Sequence, residues 1–149
     1  MKIIHQTSAG GIVFKNNLWL ICQHSRHKGW VFPKGLVGDN EKNESNETAA
    51  LREVEEEGGV KAKTINKKPI KTEYEYQWPA SAEASAGKQV ALIKKTVYYF
   101  LMEYVSGDPN HHDWEMSEVK FVTADEVKKT LTYPSDKEAF EEILKIIKS

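Results

Sequence analysis

The sequence has little that would commit it to secretion, to a membrane or to nucleic acid. Its 149 residues include one cysteine, Cys22, which cannot form an internal disulfide, so a reducing cytoplasm is the expected compartment. The setting of that cysteine, LWLICQH, reads as a buried strand thiol that fills the core rather than a nucleophile. Neither sign of charge is in excess: 21 Lys and Arg against 22 Asp and Glu leave a net charge of −1. There is thus no bulk attraction toward DNA, RNA or an anionic membrane, and none of these is expected as a partner. No apolar run reaches the roughly 20 residues that span a bilayer. The N-terminal MKIIHQTSAGGIVF breaks its short apolar run with His, Gln and Gly-Gly, unlike a signal peptide. Internal repeats are absent. What remains, 40% hydrophobic and 29% charged residues, is ordinary for a globular protein. The length suits a single domain, residues 1–149, with a core of its own, as a monomer or a homodimer.

Along the chain, Ile12–Phe14 and Leu18–Cys22 flank Asn16-Asn17 and predict a hairpin. A basic loop follows (His24, Arg26, His27, Lys28), then the short run WVF, closed by Pro33. From Ser45 to about Gly58 the pattern is helical, with Ala49, Ala50, Leu51 and Val54 for packing and Gly58-Gly59 as a stop. Pro69–Trp78 alternates like a strand, and PASAEASAG (Pro79–Gly87) is the most linker-like stretch. Val97–Val105, rich in aromatic and β-branched residues, is the strongest strand. GDPNHHD reads as a loop, VKFV as a short strand, and Asp125–Leu131 and Pro134–Lys148 as closing helices. Phe140, Ile143, Leu144 and Ile147 give the last helix a core face. This mixture predicts an α+β fold of α/β/α layers.

The chemistry concentrates in REVEEEGGV, Arg52–Val60. On a helix Glu53, Glu56 and Glu57 stand at i, i+3 and i+4 and share a face, where three anions repel one another. Such a run is either a solvated acidic face or a site for a hard divalent cation. Mg2+ prefers oxygen ligands and keeps water and phosphate in its shell, so a few carboxylates suffice. Glu55 points away from that face, toward solvent.

Spacing outside the helix separates the two readings. Gly38, five residues, Glu44, seven residues, then Arg52-Glu53-Val54-x-Glu56-Glu57-x-Gly59-Val60 reproduces the Nudix box at every specified position. At about 7% per residue type, seven matches have a chance on the order of one in 10⁸ per register. The chain therefore resembles the Nudix hydrolase superfamily, MutT-like proteins with a mixed sheet between helices. Counting from Gly35 instead would place Arg on Ala49, so the register runs from Gly38, and PKG followed by three extra residues is the simplest account of the loop. Asn43 then stands in the place of the glycine common in the family, a substitution that a left-handed conformation would tolerate.

The resemblance implies hydrolysis of a nucleoside diphosphate linked to another moiety, with Mg2+ as cofactor and Mn2+ as its alternative. It makes Glu56 and Glu57 core metal ligands and Glu53 a ligand or base. Arg52 orients a glutamate of that face, and Glu44 is an outer ligand or a local structural group. The carbonyl of Gly35 or of Gly38 reaches the metal. WVFPKG, KTVYYFLMEYV, HHDWEMSEVKF and LTYPSDKEAF look most like the diadenosine tetraphosphate hydrolase branch. In that branch Glu115, with Glu118 as rival, completes the metal site or acts as base. Lys34, and Arg26 and Lys28 of the basic loop, suit phosphate binding. Tyr133 is a candidate for stacking on adenine, or else packs between the closing helices. His24, His27, His111 and His112 lack a paired ligand pattern and read as loop residues. Other substrates of the superfamily remain alternatives: ADP-ribose, nucleotide sugars, oxidised nucleoside triphosphates, inositol pyrophosphates and RNA 5′ ends, although the absence of a basic run argues against RNA. A further alternative, from a different class, is a nucleotide-sensing module that binds without turnover.

Overall fold

The computed structural model describes residues 2–38, 42–78 and 90–148. A mixed sheet lies between helices. Its strands are β1 (Lys2–Lys15), β2 (Leu18–His24), β3 (Trp30–Val31), β4 (Lys34–Leu36), β5 (Val60–Thr64), β6 (Ile70–Trp78), β7 (Ala91–Gly107) and β8 (Met116–Thr123). The order is β3-β2-β1-β7-β5, with β4 on β1, β6 on β7 and β8 on β2. β1 and β7 run parallel from Lys2↔Ala91 to Phe14↔Glu103, and the other pairings are antiparallel. The helices are α1 (Asn46–Gly58), α2 (Ala124–Thr130) and α3 (Pro134–Lys148).

Alternation along the central strands sends side chains to opposite faces, so each face gains its own core. Ala9, Val13, Phe100 and Met102 meet Ala49, Ala50 and Val54 of α1 on one side. Ile12, Val97, Tyr99 and Leu101 meet Val127 of α2 and Ala139, Phe140 and Ile143 of α3 on the other. These two cores are the physical content of the α/β/α arrangement. Cys22 is buried among the first set. Among the described residues no helix is long and apolar enough to cross a membrane.

The predicted hairpin is present: Phe14 pairs with Trp19 and Lys15 with Leu18 around Asn16-Asn17, with Asn16 at φ 56°. Both central strands outrun their predicted limits. β1 starts at Lys2 and β7 at Ala91, because His5, Gln6 and Gly10-Gly11 in the one, and Lys94, Lys95 and Thr96 in the other, interrupt the apolar pattern without interrupting the ladder. β4 and β5 were not anticipated; KGL and VKAKT are short and carry only one or two apolar residues each. GDPNHHD contains a single 3-10 turn, Pro109–His111. Asn43 does not use the left-handed conformation, since the non-glycine residues with positive φ are Asn16 and Lys28 among those described; Gly38 takes φ 86° instead. PASAEASAG lies outside the described residues.

Candidate active site

Helix α1 is held at both ends. The Ser45 hydroxyl accepts from the Thr48 amide at 3.1 Å, and Gly59 closes the helix at φ 76°, donating its amide to the Glu55 carbonyl. That φ needs glycine, and a Cβ there would also meet the Asp108 carbonyl at 2.5 Å. Packing of Ala49, Ala50 and Val54 on the sheet turns Glu53 and Glu57 inward over β4, each only 5% exposed. Glu55 and Glu56 point outward.

The two glycines of the preceding loop have separate partners. The Gly35 backbone lies directly against the Glu53 carboxylate, where any Cβ would overlap it. Gly38 donates its amide to Glu44 Oε1 at 3.0 Å. Arg52 ties these groups together: Nε and Nη2 donate to the two Glu44 oxygens at 2.7 and 3.0 Å, and Nη1 donates to Glu53 at 3.0 Å and Glu56 at 3.2 Å. Glu57 Oε1 accepts from the Lys34 amide at 3.2 Å. Glu56 is therefore held by Arg52 on the rim, and the three helix glutamates do not share one surface equally. Among the described residues no three His, Cys, Asp or Glu side chains converge closely enough as they stand to hold a metal ion.

The electrostatics follow from this geometry. Burial, reinforced by the Glu53 charge, pushes Glu57 up to about 9. Burial likewise raises Glu53 to about 7; Arg52 opposes the shift without cancelling it, and Glu56 and Glu115 add to it. Glu44 moves the other way, because its hydrogen bonds from Arg52 favour the carboxylate. The same contacts hold Arg52 above its ordinary value. Two inward carboxylates thus face each other with less positive charge than they need.

Of the remaining candidates, Glu115 joins this site and Glu118 does not. A side-chain hydrogen bond with Glu115 raises Glu57 further, and Asp113 anchors the loop by donating its amide to the Glu56 carbonyl at 2.9 Å. Glu118 is exposed beside Lys120, 3.5 Å away. Burial works against the charge of Lys34, but Asp136, Tyr74, Glu57 and Tyr133 together hold its pKa above the ordinary value. Arg26 and Lys28 are exposed on their loop, which the Ser25 amide ties to the Glu115 carbonyl at 2.9 Å. Tyr133 does not pack between the closing helices. It is 37% exposed, and its hydroxyl lies 2.8 Å from His27 Nδ1. His24 and His27, expected to be unrelated loop residues, stack at 4.2 Å, and burial lowers the pKa of both. His111 and His112 stay in the 3-10 turn and its cap.

Sequence reasoning missed Lys95, Tyr74, Tyr99 and Asp136, which gather near Lys34 on the α3 side of the sheet. Tyr99 donates to Asp136 Oδ1 at 2.6 Å, and Asp136 is 3% exposed. Burial, then Lys34, lowers Lys95 to about 8. The period of two running through Lys95, Val97 and Tyr99 was the available signal for this cluster. A separate cavity of about 500 Å3, lined by Phe14, Trp19, Ile65, Leu101 and Ile146, is apolar and holds no titratable group, so it offers nothing to the chemistry.

Comparison with known proteins bears on the family and the fold. A sequence model of the NUDIX domain covers residues 4–143. A Mycobacterium tuberculosis chain provisionally named mutator protein MutT4 is 27% identical over 147 residues, 92% of this chain and 54% of that one. The chain thus spans about half the length of the curated relative it matches. Among solved structures, a C. elegans Ap4A hydrolase in a binary complex superposes with a TM-score of 0.68 at 19% identity, over 95% of this chain and 98% of that one. A NUDIX hydrolase from Nitrosomonas europaea gives 0.64 at 20% identity, over 93% and 88%. The E. coli dihydroneopterin triphosphate pyrophosphohydrolase gives 0.64 at 16% identity, over 98% and 99%. At these identities the structures establish a shared fold, and with the domain match over nearly all of its length the chain belongs to the NUDIX family.

Proposed function

We propose that the chain hydrolyses a diphosphate linkage in a nucleoside diphosphate derivative with the help of a divalent cation, Mg2+ ahead of Mn2+. We further propose a dinucleoside polyphosphate, diadenosine tetraphosphate in particular, as its best substrate. One observation carries the reaction class: Glu53 and Glu57 are nearly buried, face each other beside the side-chain-free Gly35, and are pushed toward protonation. Hard oxygen donors in that arrangement fit a divalent cation, whose charge would offset both burial and mutual repulsion. Glu53 and Glu57 would hold it, with Glu56, Glu115 and the Gly35 carbonyl completing the set; Gly38, occupied with Glu44, belongs to the support. When bound, such an ion neutralises phosphate oxygens and lowers the pKa of water.

The remaining work falls to the chain's own groups. Arg52, gripped at both oxygens of Glu44, fixes the direction of the Glu53 carboxylate. Glu115, whose side chain acts on Glu57, would take a proton from attacking water. Lys34 presents positive charge to a phosphate beside Glu57, and Lys95 lies near enough to feel both groups.

Support for a dinucleoside polyphosphate comes from the C. elegans Ap4A hydrolase likeness and from Lys34, whose positive charge Asp136, Tyr74, Glu57 and Tyr133 sustain. The mutator name of the M. tuberculosis relative favours a second reading, an oxidised nucleoside triphosphate. A screen with Mg2+ decides between them, with ion-exchange resolution of products and Glu57→Gln run beside the wild type. Its panel holds diadenosine polyphosphates, oxidised nucleoside triphosphates, ADP-ribose, nucleotide sugars, inositol pyrophosphates and triphosphorylated RNA. Diadenosine tetraphosphate cleaved to ATP and AMP, and left intact by the variant, is the expected result. Faster turnover of another compound would displace the substrate, and tight nucleotide binding without turnover would replace the enzyme by a sensor.

A further inference from the structure

One edge of the sheet is open, and its charges are sorted by sign. β1 runs along one side of β7 over residues 91–103. β5 and β6, which pair with β7 over residues 102–107 and 91–99, therefore follow one another along its other side. Among the described residues neither strand has a strand neighbour other than β7. An edge of this kind offers its backbone to another strand, and charged side chains commonly block that pairing. Here the two signs are separated along the edge. From Gly58 to Thr72 the chain carries five lysines and no acid, and Glu73 and Glu75 follow at once. Lys71, Glu73, Glu75 and Gln77 stand on one face of β6 and are all exposed. On the other face Ile70 and Tyr74 pack against the core that α3 shares, with Thr72 buried between them. Tyr76 and Trp78 continue that face outward and are 39% and 61% exposed.

Such an edge complements a second copy of itself, and the charges select the register. Antiparallel pairing of two identical strands puts a two-fold axis at one residue, which then faces its own copy. An axis at Lys71 sets lysine against lysine, and an axis at Glu73 sets glutamate against glutamate. An axis at Tyr74 brings Glu73 opposite the partner's Glu75. With the axis at Thr72, Lys71 lies opposite the partner's Glu73 and Glu73 opposite the partner's Lys71, and opposite charges so placed attract. Lys71 and Glu73 of one chain already stand 3.1 Å apart, so the four side chains close into a square of alternating sign. On the other face the same register sets Ile70 against the partner's Tyr74, which carries the α3-side core across the axis. Past the end of the ladder Tyr76 falls level with the partner's Lys68, a cation beside an exposed ring. We propose that the β6 edge is the interface of a two-fold homodimer, with Thr72 at the axis and one sheet continuous through both copies. The partner is a second copy of this chain because the edge itself carries both of the charges that it needs. The dimer does not depend on the reaction that the buried carboxylates support.

Sedimentation velocity of the whole chain over a concentration series is the test. The ladder over residues 70–74 is short, so a reversible monomer–dimer equilibrium that loosens as salt is added is the expected behaviour. Lys71→Glu alone and Glu73→Lys alone each set like charges across the axis and should weaken association on the order of tenfold or more. Mixed in equal amounts, these two variants should form a heterodimer about as readily as the wild type dimerises, because every charge then meets its opposite. The double variant Lys71→Glu with Glu73→Lys should dimerise by itself for the same reason. A β6 that had merely lost its fold would be rescued by neither. A wild type that stays monomeric up to about 1 mM, a dimer that both single reversals leave intact, or a loss that mixing does not reverse would each overturn the proposal.

Discussion

At the scale of single residues, the decisive feature is how differently four glutamates of one helix are used. Glu53 and Glu57 are buried, Glu56 is held by Arg52, and Glu55 faces solvent. Since burial already favours the neutral form of Glu57, Glu57→Gln should leave the melting temperature unchanged or higher at pH 8 while lowering kcat on the order of a hundredfold or more. Thermal melts and steady-state rates on one preparation check both halves. Gly35→Ala should behave differently, because its Cβ collides with the Glu53 carboxylate. A loss of about 1–3 kcal/mol in denaturant unfolding, together with loss of activity, is expected. The motif glutamates were legible because a one-dimensional spacing encodes them. Asp136, Lys95 and Tyr99 were not, since pairing between distant strands and the docking of α3 bring them together, and no local pattern records that.

At the scale of elements, α1 is the part best written into the chain. Ser45, the alanine and valine stripe and Gly59 specify its start, face and stop, and the helix runs Asn46–Gly58 as a result. Ser45→Ala removes the cap to Thr48 and should cost about 1 kcal/mol by chemical denaturation, with little effect on kcat. β4 was illegible for the opposite reason. KGL has no strand pattern, and it forms only because Ser8, Ala9 and Gly10 of β1 offer an open edge. β8 and the loop before it separate two neighbouring acids: Glu115 faces Glu57, and Glu118 faces Lys120. Glu115→Gln should therefore reduce turnover at least tenfold and Glu118→Gln leave it within twofold, differences on the order of those expected for a positioned acid–base group.

At the scale of the whole molecule, the layered fold was legible from alternating strand and helix signals, while the lengths of β1 and β7 were hidden by His5, Gln6 and Gly10-Gly11 in the first and by Lys94 and Lys95 in the second. Those long parallel partners form the centre of the sheet. Folding around buried acids also couples stability to pH. With chelator present, Glu53 and Glu57 at about 7 and 9 bind more protons folded than unfolded, where carboxylates titrate near 4.3. Stability should then fall as pH rises from about 4.5 to 9, the window between the unfolded and folded values. A divalent cation replaces those protons, so the rise in melting temperature on adding Mg2+ should be larger at pH 8.5 than at pH 6, by on the order of 5 °C.

That exchange of protons for a cation tests the central claim most directly. Calorimetric titration of Mg2+ into the protein at pH 8, repeated in buffers of different ionisation enthalpy, counts the protons displaced. The buried pair as the cation site predicts release of about one proton in the wild type, chiefly from Glu57, and far less in Glu57→Gln. Mg2+ binding with no proton release, or with the same release in both proteins, would contradict it and place the cation elsewhere.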